Sequence, residues 1–237
     1  MLRAMTTLKL LLSCKYVGLA ALVPLALVIS WPCIAASSSV RCHSQRPQTF
    51  LIRSSYIKNG AIDGAAHMKA VRYRVMKYGS VEGAAVDAKN RSTAASMAVQ
   101  TEFFGKPVRL NRRIVPALQC VQQRIEQRCK KPNDAYYPKN LGGLRTSNTI
   151  RGGEISNHLF GIALDIDPER NPCCHCVGEW KKDPKCSKES KSPFDRAGVT
   201  HCWVDAFDHF GFYWLGHDTL EDTMHFEFLG NPERILR

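Results

Sequence analysis

Two short segments in which apolar and polar residues alternate constrain this chain more than any other feature of its sequence. In 162–167, isoleucine and leucine alternate with a second set that includes Asp165 and Asp167. In 222–228, methionine and phenylalanine alternate with His225 and Glu227. A period of two is typical of strands with one buried face. Two such strands on one core are expected to direct their polar faces into a common cleft.

The polar faces of these strands carry residues that suit a metal ion. We expect Gly161 to allow the turn that brings His158 over the face of Asp165. Together with His225, this gives two imidazoles and a carboxylate, a set that suits catalytic zinc because three protein ligands leave a position for water. Asp222 lies just before the strand of His225 and is predicted to act as the base.

Other polar residues in these motifs are predicted to support the site rather than to bind the metal ion. Glu227 is predicted to orient a histidine ligand or a water. Asp167 is either a similar supporting carboxylate or a residue that forms a turn at the end of its strand. Five other histidines are interpreted as ordinary core or surface residues. They are His43, His67, His201, His209 and His217.

The two motifs resemble the D-alanyl-D-alanine carboxypeptidase and wall endopeptidase family of zinc peptidases. That family includes vancomycin-resistance dipeptidases and phage L-alanyl-D-glutamate endolysins. The motif Ser-x-His-x-x-Gly-x-Ala-x-Asp lies within 156–167, and Asp-x-x-His-Phe-Glu lies within 222–228. The resemblance is looser over 108–230 and does not cover 37–100.

The resemblance implies a role for each matching residue. It implies that His158, Asp165 and His225 bind Zn²⁺. It also implies that Asp222 is the general base, with Glu221 as the less favoured stand-in.

A further arginine and a serine are assigned through the same resemblance. Arg145 resembles the family's arginine that stabilises the developing oxyanion, and Arg151 is the alternative. The family segment is Gly-aromatic-Arg-Ser, from which Leu144 and Thr146 depart. Ser156 resembles a position near the substrate.

The fold implied by the resemblance is α+β, with a small antiparallel sheet flanked by helices and the zinc site in a cleft on the sheet, as in DD-peptidase and hedgehog-like folds. Helical spacing of apolar residues predicts a helix over 114–129, a second helix is expected over 61–78, and a short strand is expected at 108–110. The predicted division of the chain is a signal peptide 1–36, an N-terminal helical or irregular region 37–107, and a peptidase domain 108–237 with a Cys-rich loop 168–200.

The N-terminus predicts export. Basic residues precede an apolar run at 18–29, and small residues follow at 35–39. This order is the pattern of a secretory signal peptide, and an uncleaved membrane anchor is the alternative. We therefore expect a periplasmic or secreted protein.

Cysteine usage agrees with an oxidising compartment. Ten cysteines, less Cys14 and Cys33 of the leader, leave eight, which predicts up to four disulfides of unspecified connectivity. The rival interpretation is a second zinc site built from 173–176 and Cys186. That spacing is crowded for a metal knuckle, so disulfides are favoured.

The chain is strongly basic. Its formal charge is +12, of which Arg3, Lys9 and Lys15 contribute three, so the chain without its leader carries +9. Such a charge favours anionic surfaces. For an exported protein these are wall polymers and lipid headgroups rather than nucleic acid, and the alternative is a basic protein with no specific use for its charge. The family resemblance implies peptidoglycan stem peptides as partners. Membrane contact is expected only through an uncleaved leader, and no oligomeric state is predicted.

These features together predict an exported zinc metallopeptidase. It would hydrolyse D-amino-acid-containing bonds of bacterial peptidoglycan by a metal-activated water, as a carboxypeptidase or an endopeptidase. The alternative is an inactive cell-wall-binding or secreted zinc-fold protein. The three predicted zinc ligands and the predicted base Asp222 are all residues that can perform these roles, which argues against loss of activity.

Overall fold

A computed structural model describes residues 41–84, 86, 91–148, 153–176, 179–187 and 189–236. The predicted signal peptide and the alternative arginine Arg151 lie outside these residues. Within them, none of the helices combines the length and apolar character needed to cross a membrane.

Four α-helices and eight strands, joined by short 3-10 turns, make up the described chain. The helices are α1 (Gly64–Tyr78), α2 (Ala94–Met97), α3 (Val115–Arg128) and α4 (His201–His209). The strands are β1 (Ile57–Lys58), β2 (Ala61–Ile62), β3 (Ala98–Phe103), β4 (Lys106–Asn111), β5 (Leu141–Gly142), β6 (Ala163–Ile166), β7 (Phe212–Trp214) and β8 (His225–Phe228).

A four-stranded antiparallel sheet with the order β5-β6-β8-β7 occupies the centre. β6 pairs with β8 so that Asp165 lies opposite His225. β5 pairs with the other edge of β6 and places Gly142 opposite Asp165. The remaining strands form the hairpins β1-β2 and β3-β4. The predicted α+β class, with a small antiparallel sheet and flanking helices, is confirmed.

The helices follow from local sequence. In α3, Leu118, Val121 and Ile125 recur at helical spacing and are all buried, and a proline occupies the first turn. α1 begins after Asp63, whose side chain accepts a hydrogen bond from the amide of Ala66 at 3.0 Å. α1 is shorter than the predicted helix 61–78 because the first residues of that range pair in β2 instead.

One hydrophobic core joins the regions on both sides of residue 108. Val75 of α1 and Phe103 of β3 belong to the same buried cluster as Phe160 and Phe226. The predicted boundary between 107 and 108 lies inside β4. The region that precedes the boundary therefore packs directly on the sheet.

The prediction of disulfides is confirmed, and all eight cysteines outside the leader are paired. Two long-range bonds, Cys42–Cys120 and Cys129–Cys202, fasten the N-terminal arm to α3 and α3 to α4. Two local bonds brace the Cys-rich loop. They are Cys173–Cys176 and Cys174–Cys186.

Candidate active site

His158 is placed by a tight turn that ends at a glycine. The amide of Gly161 donates to the carbonyl of His158 at 3.0 Å, and Gly161 has φ +66°. A Cβ at this position would lie 2.9 Å from the amide nitrogen of Asn111. The turn therefore requires glycine, for its positive φ and for the close approach.

The ring of His158 is oriented by a backbone carbonyl. Its Nδ1 lies 2.6 Å from the carbonyl oxygen of Gly143. Because a carbonyl only accepts, Nδ1 carries the proton and Nε2 has a lone pair. Gly143 approaches the neighbouring chain so closely that a Cβ there would lie 2.3 Å from the carbonyl oxygen of Arg109.

His225 is oriented by the carboxylate of Glu227, on the same face of β8. His225 Nε2 lies 3.3 Å from Glu227 Oε2, which also accepts from Asn157 Nδ2 at 2.5 Å. Burial raises the pKa of Glu227, but the hydrogen bond and charge of His225 outweigh burial, so the pKa is lowered overall. An ionised Glu227 accepts the Nε2 proton, so Nδ1 is the nitrogen that would bind a metal ion once its own proton is displaced.

Three potential ligand atoms converge beside these two imidazoles. His158 Nε2 lies 3.1 Å from Asp165 Oδ1 and 3.2 Å from His225 Nδ1, and His225 Nδ1 lies 3.0 Å from Asp165 Oδ1. All three residues are buried. Two ligands of a tetrahedral zinc ion with bonds of 2.0–2.1 Å are about 3.3 Å apart. The donor types and their spacing therefore fit zinc.

The charges at this cluster are strongly coupled. Burial raises the pKa of Asp165, but the charges and hydrogen bonds of the two histidines lower it well below its ordinary value. Burial lowers the pKa of His225, yet hydrogen bonds to Asp165 and Glu227 raise it to about 10. Burial lowers the pKa of His158. The negative charge of the buried Asp165 is thus balanced by a protonated histidine, and a divalent cation would balance it in the same way.

Asp222 lines the same cavity as the three potential ligands. Its Oδ1 is buried and accepts no hydrogen bond from the residues that the structure describes. Burial is the main cause that raises its pKa to about 7; Asp165 also raises the pKa, and His225 opposes both. A carboxylate with this pKa can accept and release a proton near neutral pH.

Arg145 and Ser156 also line this cavity. The guanidinium of Arg145 pairs with Oδ2 of Asp165, the oxygen that does not face the histidines. The side chain of Arg145 is 39% exposed, so part of it remains accessible. Ser156 is buried, and its Oγ accepts from the amide of His158 at 3.3 Å, which stabilises the turn.

The cavity has a volume of about 480 Å³ and receives residues that the motifs do not contain. Arg53 and Tyr56 enter from the N-terminal region, and His175 and Trp180 enter from the Cys-rich loop. The guanidinium of Arg53 forms ion pairs with Glu154 and Asp218, each at 3.0 Å. No local sequence signal identifies these residues, because each reaches the cleft through tertiary contacts.

Asp167 lies at the end of β6 and forms a turn, the second of its two predicted roles. It has φ +43°, and its carboxylate accepts from the hydroxyl of Tyr136 and from the amides of Lys139 and Asn140, each at 2.7 Å. These bonds fasten the preceding loop to the end of β6.

The comparison with known families agrees with this geometry. Residues 149–228 match the profile of a family described as D-alanyl-D-alanine carboxypeptidase. The predicted family resemblance is confirmed. The region that matches this peptidase family contains β6, β7 and β8, whereas Arg145 lies just before it. No curated protein and no solved structure matched the chain.

Proposed function

We propose that this protein is an exported zinc peptidase that hydrolyses D-amino-acid-containing peptide bonds of bacterial peptidoglycan, as a carboxypeptidase or an endopeptidase. The observation that carries the proposal is the convergence of His158, Asp165 and His225 beside Asp222, within a segment that matches a peptidase family. A binding module would have no need of a carboxylate with an unused acceptor atom at this place.

Three residues would hold the metal. His158 would contribute Nε2, His225 would contribute Nδ1, and Asp165 would contribute Oδ1, since these atoms already face one another at 3.0–3.2 Å. Zinc, when bound, supplies a Lewis acid that lowers the pKa of water and polarises the scissile carbonyl. Glu227 would keep the His225 ring in the required orientation.

Asp222 would act as general base and then as general acid during hydrolysis. Its buried Oδ1 would accept the proton of the attacking water, and the carboxyl would then return it to the leaving amine. Arg145 would donate hydrogen bonds to the negative charge that develops on the carbonyl oxygen of the substrate. Ser156 would support the site through the turn of His158 and contact the substrate from the cavity wall.

Exposure of isolated peptidoglycan to the purified protein, followed by mass spectrometry of the muropeptides, tests this proposal. We expect stem peptides to lose a terminal D-residue or to gain a new amine end, and the mass change identifies the bond. His158→Ala and His225→Ala should abolish both zinc binding and hydrolysis. His217→Ala, at an exposed histidine that does not line the cavity, is the matched control. Attachment to peptidoglycan by the zinc-loaded protein without new products would instead identify a binding module.

A further inference from the structure

The Cys173–Cys176 disulfide lies directly against Asp222. Cys173 forms an isolated backbone bridge with Asp222. The two sulfur atoms and a carboxylate oxygen of Asp222 all lie within 4.8 Å of one another. Both cysteines line the cavity that holds the predicted zinc ligands. A change at this disulfide would therefore act on the immediate surroundings of Asp222.

The backbone holds this arrangement independently of the disulfide. The amide of His175 donates to the carbonyl of Leu220 at 3.0 Å, and the amide of Thr223 donates to the carbonyl of Pro172 at 3.2 Å. The hydroxyl of Thr223 adds a second bond to the same carbonyl at 2.8 Å. Opening the disulfide would thus leave the two sulfur atoms close to the carboxylate.

Among the four disulfides, this is the one whose opening should lower the stability of the fold least. Its cysteines are three residues apart, compared with 12, 73 and 78 residues for the others. The stabilisation from closing a loop falls as the loop becomes shorter. Cys176 is only partly buried at the cavity wall, so an external thiolate can reach its sulfur.

We propose that Cys173, Cys176 and Asp222 form a second metal site that exists only when the Cys173–Cys176 disulfide is reduced. Two thiolates and a carboxylate suit zinc, and thiolates favour it over harder cations. Two sulfur ligands of one zinc ion are about 3.7 Å apart, given Zn–S bonds of 2.3 Å. Rotation of the side chains can provide this separation, since the Cα atoms are 5.3 Å apart.

The reductant is a small dithiol. One of its thiolates attacks the sulfur of Cys176, which forms a mixed disulfide and releases Cys173 as a thiolate. The second thiol of the reductant then displaces Cys176 and leaves as part of an oxidised cyclic disulfide. Two electrons and two protons pass from the dithiol to the protein, which leaves both cysteines as thiols. Zinc binding afterwards displaces the protons of the two cysteine thiols.

The second metal would inhibit hydrolysis. Coordination of its carboxylate would prevent Asp222 from accepting a proton from water. This inhibition rests on the proposed function, in which Asp222 is the base. The additional metal site does not, because its ligands and stoichiometry can be measured without any substrate.

The test compares metal content before and after reduction. Full-length, zinc-loaded protein is reduced with dithiothreitol, freed of the reductant and divided into two portions. One portion is alkylated without added zinc, and its free thiols are located by mass spectrometry. The other portion is supplied with zinc, and its bound zinc is counted. We expect Cys173 and Cys176 to be alkylated first and bound zinc to increase by about one ion per chain. In cobalt-loaded protein, reduction should produce a thiolate-to-cobalt charge-transfer band. Alkylation of both cysteines without an additional metal ion or this band would overturn the proposal.

Three variants separate this site from its surroundings. Cys173→Ser/Cys176→Ser should not acquire the additional metal ion, and its hydrolysis rate should not respond to the reductant. Cys174→Ser/Cys186→Ser, the matched control in the same loop, should still acquire it. Asp222→Asn should bind the additional ion more weakly. An additional ion in Cys173→Ser/Cys176→Ser would contradict the proposal. Zinc bound at His158, Asp165 and His225 without any hydrolysis would contradict only the proposed function.

Discussion

Two hydrogen bonds determine which atoms of the two histidines face Asp165. The carbonyl of Gly143 accepts from His158 Nδ1, and the carboxylate of Glu227 lies beside His225 Nε2. One histidine therefore presents Nε2 and the other presents Nδ1. The site consequently depends on residues that would not themselves contact a metal ion.

Replacement of the proposed base separates proton transfer from metal binding. Asp222→Asn should retain zinc but reduce turnover by about 100-fold or more, because the amide cannot accept the proton of the attacking water. Steady-state hydrolysis of muropeptides and zinc content measure the two effects. Glu221→Gln is the control, since Glu221 pairs with Arg196 and does not line the cavity. Near-normal turnover of Asp222→Asn would assign the base to another group.

Replacement of Glu227 tests the support of His225. Glu227→Gln should weaken zinc binding by roughly 10–100-fold, because a neutral amide accepts the Nε2 proton of His225 less strongly than a carboxylate. The amide must also share its single acceptor oxygen between His225 and Asn157. Competition with a zinc chelator measures the affinity. Glu233→Gln, which changes a carboxylate of the surface ion pairs, is the control. Equal affinities in Glu227→Gln and the unaltered protein would exclude this role.

At this scale, motif spacing was sufficient to predict that His158, Asp165 and His225 come together, since the alternation and Gly161 leave little freedom. Their assignment as zinc ligands stays a prediction. The contribution of Gly143 through its carbonyl oxygen could not be predicted, because a backbone acceptor has no sequence signal. Arg53 was also missed, since it reaches the cleft only through ion pairs with distant carboxylates.

At the scale of elements, the spacing of apolar residues in the sequence explains which strands and helices were predictable. β6 and β8 alternate clearly in sequence, and α3 has regular helical spacing, so all three were expected. β3 was not expected, because apolar and polar residues do not alternate strictly along 98–103. It is stabilised by pairing along its whole length with β4, a long-range effect that a local pattern does not contain.

The Cys-rich loop begins immediately after the strand that carries Asp165, and it contributes part of the cavity wall. Its side chains at the cavity include His175 and Trp180, whereas the described lysines Lys182, Lys185 and Lys191 do not line it. Any selection of substrates by this loop would therefore act through the ring of Trp180 more directly than through these three charges. We therefore propose that the loop helps to determine which peptides bind.

Removal of the Trp180 ring tests this selection. Trp180→Ala should raise KM for muropeptides roughly tenfold with little change in kcat, because about 1.4 kcal/mol of aromatic contact with the bound peptide is lost. Lys182→Ala, in the same turn but outside the cavity, is the control. Shortening the loop between Cys176 and Cys186, with both cysteines kept, should change the preference among muropeptides. Unchanged KM and preference in both variants would make the loop purely structural.

At the scale of the whole molecule, the N-terminal region and the segment that matches the peptidase family form one core. Arg53 and Tyr56 extend from this region into the cavity. The resemblance could not predict this, since it does not cover 37–100. The number of disulfides was predictable from the even number of cysteines, but their connectivity depends on tertiary contacts.

The long-range disulfides should contribute most to global stability. Cys42→Ser/Cys120→Ser should lower the free energy of unfolding by about 4 kcal/mol, because the bond closes a loop of 78 residues and restricts the unfolded chain. Urea denaturation at equilibrium measures this change. Cys173→Ser/Cys176→Ser should lose less, given its separation of three residues. A larger loss in the second variant would contradict this ranking.

Titration of zinc into metal-free protein tests most directly whether the three-residue site supports peptidase activity. Chelator-treated protein, with its disulfides intact, is supplied with increasing zinc while muropeptide hydrolysis is followed by mass spectrometry. We expect no hydrolysis without metal and full hydrolysis at about one zinc ion per chain, whereas His158→Ala should stay inactive after the same addition of zinc. Full hydrolysis by the metal-free protein, or restoration of His158→Ala by the same amount of zinc, would contradict it.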